Sequence, residues 1–132
     1  MSDVKVKISI ALDWKKNRIR ITRPVMESLG NPPYIQLLVN PNGRALAVRA
    51  LQMKSKDIPC EIVRYEGADE RYIEMYSTLL FEKLSNSFSQ FDKKATYKVF
   101  GEVLLPQRVA IFDLMDYKKL ENGTGEVDHG TI

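Results

Sequence analysis

The chain has 132 residues, 44% of them hydrophobic and 28% charged, with a formal net charge of +3. These proportions suit one soluble globular domain, or two small lobes sharing a core, and no apolar run approaches the ~20 residues needed to span a bilayer. The single cysteine, Cys60, excludes an internal disulfide.

The net charge hides an asymmetry. Residues 1–56 carry 11 Lys and Arg against 3 acids, a net of +8, while residues 57–132 carry 9 against 14, a net of −5. A basic half joined to an acidic half points to a face that meets a polyanion on one side only, although patchy charge also serves plain solubility.

The opening "VKVKISI" alternates Val4, Val6, Ile8 and Ile10 with Lys5, Lys7 and Ser9, the period of a half-buried strand. A signal peptide would need a continuous apolar core instead, so a cytoplasmic protein is expected. "DWKKN" reads as a turn, and "RIRIT" alternates again, with Ile19 and Ile21 inward and Arg18, Arg20 and Thr22 outward. Pro24 suits the first turn of a helix whose apolar face is Val25, Met26 and Leu29, and Gly30 suits its end. "YIQLLVN" and "RALAVRAL" flank "PNG", a hairpin signal.

Residues 53–75 read as a linker or insertion, with "EIVRY" a possible short strand. Beyond them "STLLFEKLSN" (77–86) resembles "TRPVMESLGN" (22–31) at an offset of 55, and a further hairpin, "TYKVFGEVLL" and "RVAIFDLMDY", follows at an offset of 64. The spacing predicts an internal duplication: a basic β-β-α-β-β unit over 1–52, then an acidic α-β-β unit over 76–117, sharing one core. Residues 118–132 carry little to bury and are expected to form a disordered tail. The fold class expected is α+β, mostly β.

Chemistry-bearing groups are sparse. The one histidine, His129, lies in that tail, Cys60 has no Cys or His neighbour at metal-ligand spacing, and no Gly-rich phosphate loop or nucleophile elbow appears. Neither an enzyme, a metal nor a cofactor is expected.

"NRIRITRPVMESLG" (17–30) resembles the signature of the AbrB/SpoVT-like swapped-hairpin family, which includes transition-state regulators and MazE-type antitoxins. Asn17 stands where the family often has glycine, Arg18 at its arginine, Thr22 at its usual proline, and Leu29–Gly30 at the helix end. The resemblance covers about residues 4–51, with a weak second copy. It implies a small barrel of two interleaved units, here supplied by one chain or by a homodimer. It also implies duplex DNA contact through the N-terminal strands. Met26 and Glu27 replace a family arginine pair in the helix, and Met75 and Thr78 stand where a second copy of Arg20 and Arg23 would be.

The function expected is DNA binding, as a bacterial or phage transcriptional regulator or antitoxin-like protein, through Arg18, Arg20, Arg23, Lys15 and Lys16. Those side chains could equally form a solvated strand edge that discourages aggregation. The alternative is a non-enzymatic protein-binding module, an inhibitor or adaptor from a mobile element, working through its acidic half. A third reading is single-stranded nucleic acid bound by a basic sheet, with Trp14 and Tyr34 stacking; otherwise Trp14 seals a small core. Tyr72, Tyr76 and Phe81 are expected in packing, and Arg44 and Arg49 as surface charge.

Overall fold

A computed structural model describes residues 7–66 and 71–120. Alternation makes β1 (Lys7–Asp13) and β2 (Arg18–Thr22) a hairpin that buries Ile8, Ile10, Leu12, Ile19 and Ile21. Val4 and Val6 lie outside the described residues. The turn between the strands closes on Asn17 in the left-handed region, φ 51°. Helix α1 (Arg23–Ser28) has Pro24 in its first turn and buries Val25, Met26 and Leu29. It stops where Gly30 adopts φ 86° and the Asn31 amide donates back to the Met26 carbonyl at 2.8 Å.

Strands β3 (Tyr34–Asn40) and β4 (Ala45–Leu51) pair around a four-residue turn. The Gly43 amide donates to Asn40 Oδ1 at 3.0 Å, and the residue with positive φ is Arg44 rather than Gly43. The turn is therefore a longer one than an Asn-Gly pair suggests, with Pro41 as its first residue.

Within the stretch expected as a linker, β5 (Glu61–Ile62) falls in "EIVRY", the possible short strand, and β6 (Tyr72–Tyr76) is a further strand that was not expected. The element order is thus longer than the expected α-β-β in the second half. Helix α2 (Thr78–Ser87) follows, capped by Ser77 Oγ, which accepts from the Leu80 amide at 3.1 Å. Strands β7 (Thr96–Leu104) and β8 (Val109–Leu120) complete the sheet. The expected tail from 118 is corrected in part: Lys118, Lys119 and Leu120 belong to β8, and Leu120 is buried opposite Thr96. Residues 121–132 lie outside the described residues.

The eight strands among the described residues form one sheet, ordered β5-β3-β4-β8-β7-β1-β2-β6, with every neighbouring pair antiparallel. It curls into a nearly closed barrel, open only between β5 and β6. Inward side chains such as Ile35, Leu46, Val48, Ile73, Val99 and Phe112 fill it. At one end Trp14 packs against Phe81, Phe91 and Tyr97, with ring centroids 4.9, 4.8 and 5.7 Å away, and its Nε1–H donates to Ser85 Oγ at 2.9 Å. A buried indole needs such an acceptor.

The β7–β8 ladder changes register between Val99, opposite Tyr117, and Gly101, opposite Phe112. Four residues of β8, 113–116, thus face the single residue Phe100, and Leu114 continues the inward alternation of Ala110 and Phe112. The chains approach so closely there that a Cβ on Gly101 would collide with the Ile111 carbonyl oxygen and lie 2.7 Å from Phe112 Cα.

Candidate functional site

The outer face of β6, β2, β1 and β7 follows from the same alternation that fills the barrel. One row across it is Tyr72, Thr22, Ser9 and Phe100: Thr22 faces Tyr72, Ser9 faces Phe100, and Thr22 Oγ1 donates to the Ser9 carbonyl at 3.5 Å. The small middle residues leave a floor between two rings. The next row is Glu74, Arg20, Ala11 and Lys98.

Two cations lie close to each ring. Lys7 Nζ and Lys98 Nζ lie 5.0 and 5.5 Å from the Phe100 centroid, and the guanidiniums of Arg20 and Arg71 lie 5.2 and 5.5 Å from that of Tyr72. These rings and Lys7, Arg23, Arg71 and Lys98 wall an open groove of about 600 Å³. Among the described residues, no carboxylate lines it. The adjoining hollow, about 470 Å³, shares Lys7 and Phe100 with the groove and adds Glu102, Asp113 and Asp116, and Lys7 Nζ lies 3.7 Å from Asp116 Oδ2.

The five basic residues singled out in the sequence do not form one array. Arg18 is held inward: its Nη2 donates to Asp13 Oδ2 at 3.0 Å, its Nη1 sits 3.6 Å from Glu74 Oε2, and only 11% of its side chain is exposed. Arg20 Nε donates to the same Glu74 oxygen at 2.8 Å, which fixes its guanidinium beside Tyr72. Arg23 lies in the groove and also 5.7 Å from the Tyr65 ring. Burial raises the Tyr65 phenol above its ordinary value, the Arg23 charge opposing; its hydroxyl donates to the Pro32 carbonyl at 2.7 Å. Lys15 and Lys16 are exposed in the β1–β2 turn, at the opposite end of β1 from Lys7, six residues or ~20 Å along the strand.

Trp14 is buried, in line with its sealing a small core, and is not placed to stack on a ligand. Tyr34 lies on β3, between β4 and β5 and away from the groove. Phe81 is buried as expected, whereas Tyr76 is exposed and Tyr72 half-buried on the outer face. Tyr72, Phe100, Lys7, Arg71 and Lys98 were not legible as a group. They come from three distant segments, although outward alternation marks Lys7, Lys98 and Phe100 individually.

No helix among the described residues is long and apolar enough to cross a membrane. No family model matches the sequence, and no match is found among curated proteins or solved structures.

Proposed function

We propose that this protein binds DNA through the outer face of β6, β2, β1 and β7, as a transcriptional regulator or antitoxin-like protein. The observation that carries the reading is the groove in which Lys7, Arg23, Arg71 and Lys98 converge around Tyr72 and Phe100 with no carboxylate among the described lining residues. Phosphates give affinity through such cations, and neighbouring groups give register. The contact set differs from the expected one: Arg23 stays in it, Lys15 and Lys16 serve as outlying contacts, Arg20 braces Tyr72, and Arg18 is structural.

Kinship with the swapped-hairpin group is supported by paired geometry at the predicted offsets. Helix α2 starts 55 residues after α1, at 78 against 23. Shifted by 64, the pairs Leu38–Ala47 and Asn40–Ala45 of β3–β4 fall on Glu102–Ile111 and Leu104–Val109 of β7–β8. On this reading one chain supplies both halves of the barrel and acts as a monomer.

The test is a titration of duplex DNA at several salt concentrations with wild type and the Lys7→Ala/Lys98→Ala double variant. Affinity should fall steeply with salt, and the slope of log affinity should drop by about 1.8 in the variant, about 0.9 per lost contact. Absence of binding to duplex or single strand at low salt would sink the reading. That outcome favours the protein-binding alternative, which has its own support: Leu38 and Ile111 are exposed on either side of Ala47 on the outer face of β3, β4 and β8.

A further inference from the structure

We infer that the groove takes a single strand of nucleic acid, with separate bases stacked on Tyr72 and Phe100 and the backbone held by the flanking cations; this rests on the nucleic-acid reading above. The two rings stand in one row of the sheet, three strand spacings apart, with Thr22 and Ser9 between them. At ~4.8 Å per spacing the rings are roughly 14 Å apart. Bases stacked in a duplex rise only ~3.4 Å per step. A duplex therefore cannot lay neighbouring bases on both rings, and its bases face inward in any case. An unpaired strand can extend across the sheet, turning one base down at each ring.

The chemistry of the walls fits that path. Lys7 and Lys98 lie within 5.5 Å of the Phe100 centroid, and Arg20 and Arg71 within 5.5 Å of that of Tyr72. A strand that crosses the rings passes Lys98 and Lys7 at Phe100 and Arg71 at Tyr72, while Arg20 stays on Glu74. Glu74, the carboxylate nearest Tyr72 in the ladder, is engaged by Arg18 and Arg20, so its charge is offset locally. Between the rings the floor offers only the short side chains of Thr22 and Ser9, leaving room for the sugar-phosphate chain. Every base has a π-face, so such a platform tolerates sequence. On the β8 side of Phe100 the loop-out at 113–116 brings Asp116 Oδ2 to 3.7 Å from Lys7 Nζ, an exposed ion pair that a phosphate must compete with for the lysine.

The experiment is fluorescence anisotropy with three labelled probes of equal length: a mixed-sequence 15-mer, the same strand annealed to its complement, and a strand of abasic sites. Wild type should bind the single strand at least tenfold more tightly than the duplex. It should lose roughly tenfold or more on the abasic strand, which keeps the phosphates and removes the bases. Tyr72→Leu and Phe100→Leu should each weaken the single strand by roughly fivefold or more. Duplex affinity equal to or above that of the single strand overturns the inference, as does equal affinity for the abasic strand. In either case binding that still falls in the Lys7→Ala/Lys98→Ala variant leaves the broader DNA reading standing. No binding of any probe at low salt removes both.

Discussion

Arg44 and Arg108, 64 residues apart, share the same left-handed backbone, φ 53° at each, and each carbonyl accepts from the opposite hairpin. The Leu114 amide donates to Arg44 at 2.9 Å, and the Ala50 amide, 64 residues before Leu114, donates to Arg108 at 3.0 Å. A left-handed residue with a Cβ costs about 1–2 kcal/mol, and glycine removes that strain while adding unfolded-state entropy worth about half as much. Arg44→Gly and Arg108→Gly should therefore be neutral or slightly stabilising, and by similar amounts. Thermal melts showing a clear loss at one site and not the other would break the equivalence of the two turns.

Arg18→Ala should destabilise by about 3–5 kcal/mol, because it leaves the buried Asp13 carboxylate without its ion-pair partner. Lys15→Ala/Lys16→Ala, in an exposed turn, should change stability by less than about 0.5 kcal/mol. Urea unfolding of both variants checks the contrast. An Arg18→Ala protein as stable as wild type would show that the arginine is surface after all.

Gly101→Ala should cost about 3 kcal/mol or more, since the added methyl meets backbone atoms of Ile111 and Phe112 rather than a side chain that can swing aside. A melting temperature within error of wild type would contradict the close approach.

Leu120→Ala should cost about 2 kcal/mol, the low end for a buried leucine, because the residue ends its strand. Truncation from Lys119 removes the same side chain, together with the Lys119–Asp92 ion pair at 3.4 Å, and should destabilise at least as much. Truncation without loss of stability would mean that Leu120 packs against nothing that matters.

The Lys94 backbone N–H, donating at 2.9 Å, holds the Asp92 carboxyl below the usual carboxylate range; slight burial opposes it, and Lys119 adds a second donor. The folded state therefore prefers the charged form, and the unfolded chain binds the proton more readily. The resulting stabilisation is present above the ordinary carboxylate pKa and is lost as pH falls through the lower folded value. A carboxyl NMR titration should place the Asp92 midpoint below that of an unfolded peptide; a midpoint at or above it refutes the local cause.

What the sequence revealed was local. Period-two alternation located β1 and β2, and Pro24 with Gly30 bracketed α1, because those signals act within a few residues. Tyr72–Tyr76 was missed as a strand because its only described partner, β2, lies some fifty residues earlier. The charge division between the two parts of the chain likewise did not become a division between faces. Strand β7 inserts beside β1, and β6 beside β2, so Lys98 and Arg71 from the acidic part stand with Lys7 and Arg23 from the basic part. Arg18 shows the opposite error: its alternation marks it as outward, but an acid directly across the hairpin at Asp13 turns an exposed arginine into a buried ion pair.

The neighbours of β1 have a consequence for synthesis. Its second partner, β7, pairs Lys7 with Glu102, so that edge stays unmatched until some ninety further residues have been made. Strand β4 waits similarly for β8. During synthesis the apolar strands β1 and β4 stay exposed until β7 and β8 have emerged, and only then can the sheet assemble. Pairings this distant make for slow, late folding and a long interval of vulnerability to aggregation. Expression at reduced temperature or with a chaperone present should raise the soluble yield more than stabilising either hairpin alone.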